Sequence, residues 1–357
     1  MYSNVIVFRL LVSALLLVTN NVNAGYKPVA LDSLGGGSSL AAGINNSGMV
    51  VGTSLSGDAF PRSATWSGIT PSDVRPGDWL SWGQAINDAG HIAGNYGTTF
   101  GRFPTERAYA SPYRDSMLGK LGVSDTTARD INNYGVVVGT AYTQGWAGEP
   151  LYPFSFYGTH AALWNGTSNV DLHPQSAQIS QANAINDAGL IVGSVDHDAA
   201  LWNGNTMTRL GHGVAVDINN AGVIAGSTSD HAVIWNGNVQ TILGEGSAAA
   251  INILSQVVGS AHGRAFLWDG GGAVDLNNFL GTATRDAGWI LAQAVGINDL
   301  GWIVANAYNT KTFQYRPYVL SPVPETATYL MLLLGLGWIA WRMSTRKNAV
   351  SSDISPI

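Results

Sequence analysis

Ile218-Asn219-Asn220-Ala221-Gly222-Val223-Ile224-Ala225-Gly226 is the stretch on which the fold turns. An isoleucine ends one strand, Asn-x-x-Gly reverses the chain, and an apolar run closing on glycine starts the next strand. Asparagine and glycine tolerate the left-handed backbone that a tight reversal needs. The apolar run that follows favours extended chain, most clearly in copies such as Val136-Val137-Val138. The phrase Ile-Asn-x-x-Gly-x-apolar-apolar-Gly also starts at Ile44, Ile86, Ile131, Ile185, Ile251 and Ile297. Successive asparagines lie 42, 45, 54, 33, 33 and 46 residues apart. The sixth copy replaces the turn with Ile253-Leu254-Ser255, and the seventh ends in Ala305.

Working outward, every copy has a small residue three positions before the isoleucine: Ala41, Gly83, Ala128, Ala182, Ala215, Ala248 and Ala294. A strand crowded by its symmetry mates requires this. A third strand recurs as His160 to Trp164, Asp198 to Trp202, His231 to Trp235 and Arg264 to Trp268, with Arg62 to Trp66 a looser copy. Arg107-Ala108-Tyr109 and Arg316-Pro317-Tyr318 keep its start and lose the tryptophan. Trp-Asn-Gly or Trp-Asp-Gly then turns into a fourth strand, such as Asn205 to Leu210. Four short antiparallel strands per repeat of this length make the unit of a propeller blade. The seventh repeat stops after its third strand at Leu320, and a strand of the missing type precedes the first repeat at Lys27 to Leu34. The sequence therefore predicts an all-β, seven-bladed β-propeller of four-stranded antiparallel blades over 25–320, its ring closed by the N-terminal strand. An open β-solenoid is the alternative, but it gives no reason for such circular completion.

Composition narrows the chemistry. Charged residues are 11% of the 357, the net charge is −6 and cysteine is absent. An acidic chain lacks the basic face that nucleic acid needs. Without cysteine there is no disulfide, zinc–thiolate site or thiol nucleophile. No cofactor motif is present, and the expectation is a protein without cofactor or metal. No nucleophile elbow, phosphate loop or His-Glu-x-x-His occurs.

The two ends read differently from the repeats. Residues 1–24 have a cation at Arg9, an apolar core from Leu10 to Val18 and the small-residue ending Val22-Asn23-Ala24, the pattern of a secretory signal peptide. Residues 321–326 form a proline-broken linker, 327–341 an apolar helix of transmembrane type, and 342–357 a tail expected to be cytoplasmic, its basic stop at Arg342, Arg346 and Lys347. Such cations hold one end of a membrane helix in the cytoplasm. The apolar run is shorter than the roughly 20 residues of a full span, so it suits a thin or temporary anchor.

The tail resembles the PEP-CTERM sorting signal of Gram-negative bacteria, carried here by Val323-Pro324-Glu325-Thr326 and Leu332-Leu333-Leu334-Gly335-Leu336-Gly337, with Thr326 in place of the second proline. That resemblance implies an exosortase-like processing enzyme as partner and delivery to the cell envelope or beyond, by way of the inner membrane. The repeats resemble the HAF extracellular repeat family, through Arg264-Ala265-Phe266, His160-Ala161-Ala162 and His231-Ala232-Val233. The resemblance implies an extracellular repeat protein and supplies no catalytic residues.

For function, the repeated positions read as framework. Turn asparagines bond their own backbone, and the repeated tryptophans Trp66, Trp164, Trp202, Trp235 and Trp268 suit blade packing. His197 and His231 with Asp196 and Asp198 look only faintly like metal ligands. Asp130 and Asp217 precede the isoleucine in two non-adjacent blades and are not expected to meet as an acid–base pair. The insertions at 75–83, 95–106, 141–158 and 281–291 all fall between second and third strands or between blades, hence on one face. Long loops on a rigid scaffold commonly carry binding. They hold Trp79, Trp82, Tyr96, Phe103, Tyr142, Trp146, Tyr152, Phe156 and Trp289, the candidate ligand-binding residues. Rings on a weakly charged face suit an exopolysaccharide or a surface protein. The expectation is a non-catalytic interaction module, with a glycan-active lyase or hydrolase on the same scaffold as the alternative.

Overall fold

The computed structural model describes residues 25–78, 80–98, 105–110, 118–119, 121, 125–144, 157–166, 168–270 and 272–323. The expected signal peptide, the motif residues Pro324 and Glu325, the apolar helix and the basic stop Arg342, Arg346 and Lys347 lie outside them. So do Trp79, Phe103, Trp146, Tyr152 and Phe156. Among the described residues no helix is long and apolar enough to cross a membrane.

The chain is a seven-bladed β-propeller. The first strand, β1 (Gly25–Ala30), is followed by blade 1: β2 (Gly35–Ile44), β3 (Val50–Ser56), β4 (Pro61–Trp66) and β5 (Pro71–Asp73). Blade 2 holds β6 (Leu80–Ile86), β7 (Ile92–Thr98) and β8 (Thr105–Ala110). Blade 3 holds β9 (Thr126–Ile131), β10 (Val137–Gln144), β11 (Tyr157–Asn165) and β12 (Ser168–Asp171). Blade 4 holds β13 (Ser180–Ile185), β14 (Leu190–Val195), β15 (Asp198–Asn203) and β16 (Thr206–His212). Blade 5 holds β17 (Val214–Ile218), β18 (Ile224–Ser227), β19 (His231–Asn236) and β20 (Val239–Glu245). Blade 6 holds β21 (Ser247–Ile251), β22 (Val257–Ala261), β23 (Arg264–Asp269) and β24 (Gly272–Asp275). Blade 7 holds β25 (Trp289–Ile297), β26 (Ile303–Asn309) and β27 (Tyr315–Val323). A short helix, α1 (Thr282–Asp286), sits in the insertion that precedes β25.

Each blade is an antiparallel meander. In blade 7 the sheet order is β1-β27-β26-β25, so the N-terminal strand is its outermost member. The bond from Leu31 N–H to the Pro317 carbonyl (2.9 Å) continues that pairing. Closure by the first strand covers an edge that would otherwise be open. Blade 2 shows three strands among the described residues. Its outer position is marked by Leu118, whose N–H reaches the Ala108 carbonyl (3.2 Å), as Leu172 N–H reaches Ala161 in blade 3 (2.9 Å).

The core is a set of layers between blades rather than one centre. In one layer Val138 and Ala161 of blade 3 meet Ala182, Ile185, Ile191, Ala200 and Trp202 of blade 4. Ala184, Val192 and Ala199 of blade 4 in turn meet Ala215, Ile224 and Trp235 of blade 5. The five repeated tryptophans are at most 2% exposed. Full burial of a large apolar side chain contributes roughly 1.5–3 kcal/mol, so these rings bind five of the blades to a neighbour.

All seven innermost strands carry an irregularity at one place. In blade 4 Gly193 faces Ala182 while Val192 faces Ala184, leaving Asn183 extra. The same shift falls at Ala41/Gly43, Gly83/Ala85, Ala215/Asp217, Ala248/Ala250 and Ala294/Gly296, and opposite Val138/Gly139 in blade 3. Such a bulge bends the strand and brings the two backbones close. A Cβ placed on Gly193 would lie 2.0 Å from the Gln181 carbonyl oxygen, and one on Gly226 would lie 2.2 Å from that of Val214. In these blades the glycine that closes the repeated phrase is therefore set by close approach, whereas blade 7 places Ala305 opposite its bulge.

Candidate functional site

The Asn-x-x-Gly turns meet at the propeller axis and line a cavity of about 190 Å³. Its wall contains isoleucines, asparagines and aspartates from all seven blades. Each first asparagine does two jobs. Its Oδ1 accepts N–H groups of its own turn, as Asn219 does from Ala221 (3.0 Å) and Val223 (2.9 Å). Its Nδ2 donates to the backbone carbonyl of the equivalent asparagine in the next blade. These bonds run Asn45 to Asn87 (3.0 Å), Asn87 to Asn132 (3.0 Å), Asn132 to Asn186 (3.2 Å) and Asn186 to Asn219 (3.2 Å). They continue Asn219 to Asn252 (2.9 Å), Asn252 to Asn298 (3.2 Å) and Asn298 to Asn45 (3.1 Å). The circle closes. All seven side chains are buried, which makes an amide left unbonded there costly.

A second, exposed circle lies one residue further on. Asn46, Asp88, Asn133, Asp187 and Asn220 alternate amide and carboxylate through blades 1 to 5, and Asp299 of blade 7 joins back to Asn46. Backbone N–H groups add to it: Asn46 N–H bonds Asp88 (2.9 Å), and Asn133 N–H bonds Asp187 (2.9 Å). Ile253 of blade 6 interrupts the alternation, although its N–H still reaches Asp299 (2.9 Å).

Below this rim stand Asp130 and Asp217. Asp130 accepts from Ile131 N–H and, across the blade boundary, from Ile185 N–H, both at 2.8 Å. Asp217 accepts likewise from Ile218 N–H and Ile251 N–H at 2.8 Å. Burial pushes both carboxyls up, Asp217 to about 7, with Asp130 adding to Asp217 and Asp187 adding to Asp130. Blades 3 and 5 are not neighbours, yet the charge on Asp130 reaches Asp217; Asp130 lines the cavity, and Asp217 stands behind its wall.

Of the candidate aromatic residues, four lie among the described ones. Trp82 pairs with Asn95 on β6 and is half-buried. Tyr96 lies beneath the Arg75 guanidinium (5.0 Å), which also covers Tyr109 (4.6 Å) and bonds Asp78. Trp289 lies beneath Arg316 (5.1 Å) and edge-on to Tyr318 (6.4 Å). Tyr142 pairs with Thr159 on β10 and donates its N–H to Asp125 (2.9 Å). Tyr96 and Trp289 thus pack within blades 2 and 7. The structure does not bring the four into one group.

Four of the polar residues that start the third strands, Arg62, His160, Asp198 and Arg264, form ion pairs within their own blades. Arg62 pairs with Asp58 (3.0 Å) and Arg264 with Asp275 (2.5 Å). His160 pairs with Asp171 (2.8 Å) and stacks on His173 (3.8 Å), whose pKa is lowered by burial and by His160. Arg209 holds both Asp196 and Asp198 at 2.9 Å, and its hydrogen bond takes Asp196 down to about 2. Two of the four faint metal-ligand candidates are thereby engaged in ion pairs. Among the described residues no three His, Asp or Glu side chains stand ready to hold a metal ion.

The alternation of Asn and Asp after the turn asparagine was visible in the sequence, as was the Asp130/Asp217 exception; neither suggested that partners meet across blades. The chain matches no protein-family model and no curated protein.

Proposed function

We propose that the protein is a non-catalytic interaction module of the bacterial envelope or its surroundings, binding an exopolysaccharide or a surface protein through its inserted-loop face. One observation carries this reading. The polar groups at the repeated turn positions are spent on closing the ring, so the chemistry free to vary from blade to blade lies in the insertions. Rigid framework with variable loops is how many scaffolds divide stability from binding. The apolar stretch at 327–341 and its flanking motif fit export and processing by an exosortase-like enzyme, with the chain held at least briefly in the inner membrane of a Gram-negative cell.

The test is a glycan array probed with the full chain, then with Tyr142→Ala and Trp146→Ala. Selective binding that either substitution weakens at least tenfold, with melting unchanged, supports the loop face. Binding that survives both, or that disappears with Asp187→Asn on the turn face, overturns it.

A further inference from the structure

The third place of the axial turn carries a small residue in blades 1, 2, 4 and 5: Ser47, Ala89, Ala188 and Ala221. The turn therefore asks for nothing large there. Blades 6 and 7 place Leu254 and Leu300 there instead, 69% and 64% exposed. Ile253 precedes the first and Trp302 follows the second turn, and both are exposed as well. The bond from Ile253 N–H to Asp299 (2.9 Å) sets the two turns side by side. The Trp302 ring leans onto the blade 1 turn, where a Cβ on Gly48 would meet it at 3.1 Å. Four large apolar side chains are thus gathered over blades 6 and 7 on the turn face, and Tyr134 is exposed at the same turn place in blade 3. Apolar groups left together in water mark a surface that a partner covers.

The path of the chain says which partner. β27 runs towards this face, since Leu320 pairs with Ile303, the residue just after the blade 7 turn. The chain thus leaves the propeller in the blade, and on the face, that carries Leu300 and Trp302. Six residues, 321–326, separate Leu320 from the apolar stretch at 327–341. Fully extended they span about 20 Å. A bilayer that holds the stretch is therefore within reach of the turn face. Tryptophan and leucine suit the boundary between headgroups and acyl chains. The seven axial turns carry Asp88, Asp187 and Asp299 and no lysine or arginine, so the face suits zwitterionic lipid better than anionic lipid.

We propose that the turn face of blades 6 and 7 docks on a bilayer surface of zwitterionic lipid, with Leu254, Leu300 and Trp302 at the contact. The docking rests on the part of the proposed function that holds 327–341 in the membrane. It goes further in giving the propeller one orientation there. The turn face meets lipid, and the inserted loops on the opposite face point away from the membrane, towards a ligand arriving from outside.

The chain has no cysteine, so a single introduced one can be labelled. Leu254→Cys and Leu300→Cys on the turn face, and Ser229→Cys between β18 and β19 on the opposite face, each carry a fluorophore in the full chain reconstituted into phosphatidylcholine vesicles. All three sites are exposed, so melting should be unchanged. Lipid bearing a nitroxide in the upper acyl chain should quench the probes at 254 and 300 by about half or more and leave the probe at 229 nearly untouched, since an interfacial side chain sits only about 5–10 Å deep. An alkaline carbonate wash reads the tether separately. Chain retained in the wash, with the probes at 254 and 300 unquenched, overturns the docking and leaves the tether standing. Chain lost in the wash removes the tether, and the docking falls with it. Probes at 254 and 300 shielded from aqueous iodide yet untouched by the lipid quencher would be covered by protein, a second copy or the chain's own tail, and that too overturns the proposal.

Discussion

Blades 5 and 6 have the same spacing between their turn asparagines and the preceding ones, 33 residues in each case, but their turns differ. Blade 5 has Asn219-Asn220-Ala221-Gly222, and blade 6 has Asn252-Ile253-Leu254-Ser255. The reversal survives the change. Gly222 N–H reaches the Asn219 carbonyl at 3.0 Å, and Ser255 N–H reaches that of Asn252 at 2.9 Å. Asn252 Oδ1 still accepts Leu254 N–H and Gln256 N–H. What blade 6 loses is the second circle, and what it gains is a serine with φ of 60°. The first asparagine alone thus makes the turn and the inner ring. The second position serves only the outer ring, and the glycine relieves backbone strain.

The comparison can be broken most forcefully at the closing glycines, where the two blades agree. Gly226→Ala and Gly259→Ala each drive a Cβ into a carbonyl oxygen, at 2.2 Å and 2.0 Å. Each should cost about 3 kcal/mol or more by urea unfolding, since neither backbone can yield cheaply. A cost below about 1 kcal/mol would mean that the bulge is pliable. Next come the asparagines. Asn219→Ala and Asn252→Ala should each cost about 2–3 kcal/mol, by stranding buried N–H and carbonyl groups. If blade 6 loses much less than blade 5, its turn is held by something other than the asparagine.

Smaller effects sharpen the picture. Ser255→Gly should stabilise by about 1 kcal/mol, because an L-residue in the left-handed region is strained, and Gly222→Ser should cost a similar amount. A rise in melting temperature for the first and a fall for the second would fit. The least effect is expected from Ile253→Asn, which offers Asp299 another amide donor at an exposed site: a gain of at most about 0.5 kcal/mol.

The blade count and the circular completion were legible because the phrase around Ile218 is long and recurs in order. The bulge was legible only indirectly. Residues three apart in a plain strand face opposite sides, yet Ala215 and Ile218 are both buried. An extra residue between them resolves the conflict, and Val216 and its equivalents, such as Asn183, provide it. The rings were not legible, because each amide finds its partner 33 to 54 residues away, or 253 where the circle closes. Spacing shows that a residue repeats, not which way its side chain reaches. Tyr96 and Trp289 teach the same lesson for the loop face: aromatic character marked them, while Arg75 and Arg316 decided how they are held.

The outer circle carries a constraint of number. Two kinds of link cannot alternate around an odd count of places, and a seven-membered ring of Asn and Asp must somewhere set like beside like or admit a stranger. Two aspartates side by side would repel, while two asparagines side by side would lack a carboxylate between them. Ile253 is the stranger, and with it in place every remaining join pairs an amide with an acid. The irregular sixth repeat thus sits at the one break in alternation that parity demands of a seven-membered ring, and a six- or eight-bladed relative built on the same two residues would have no need of a break.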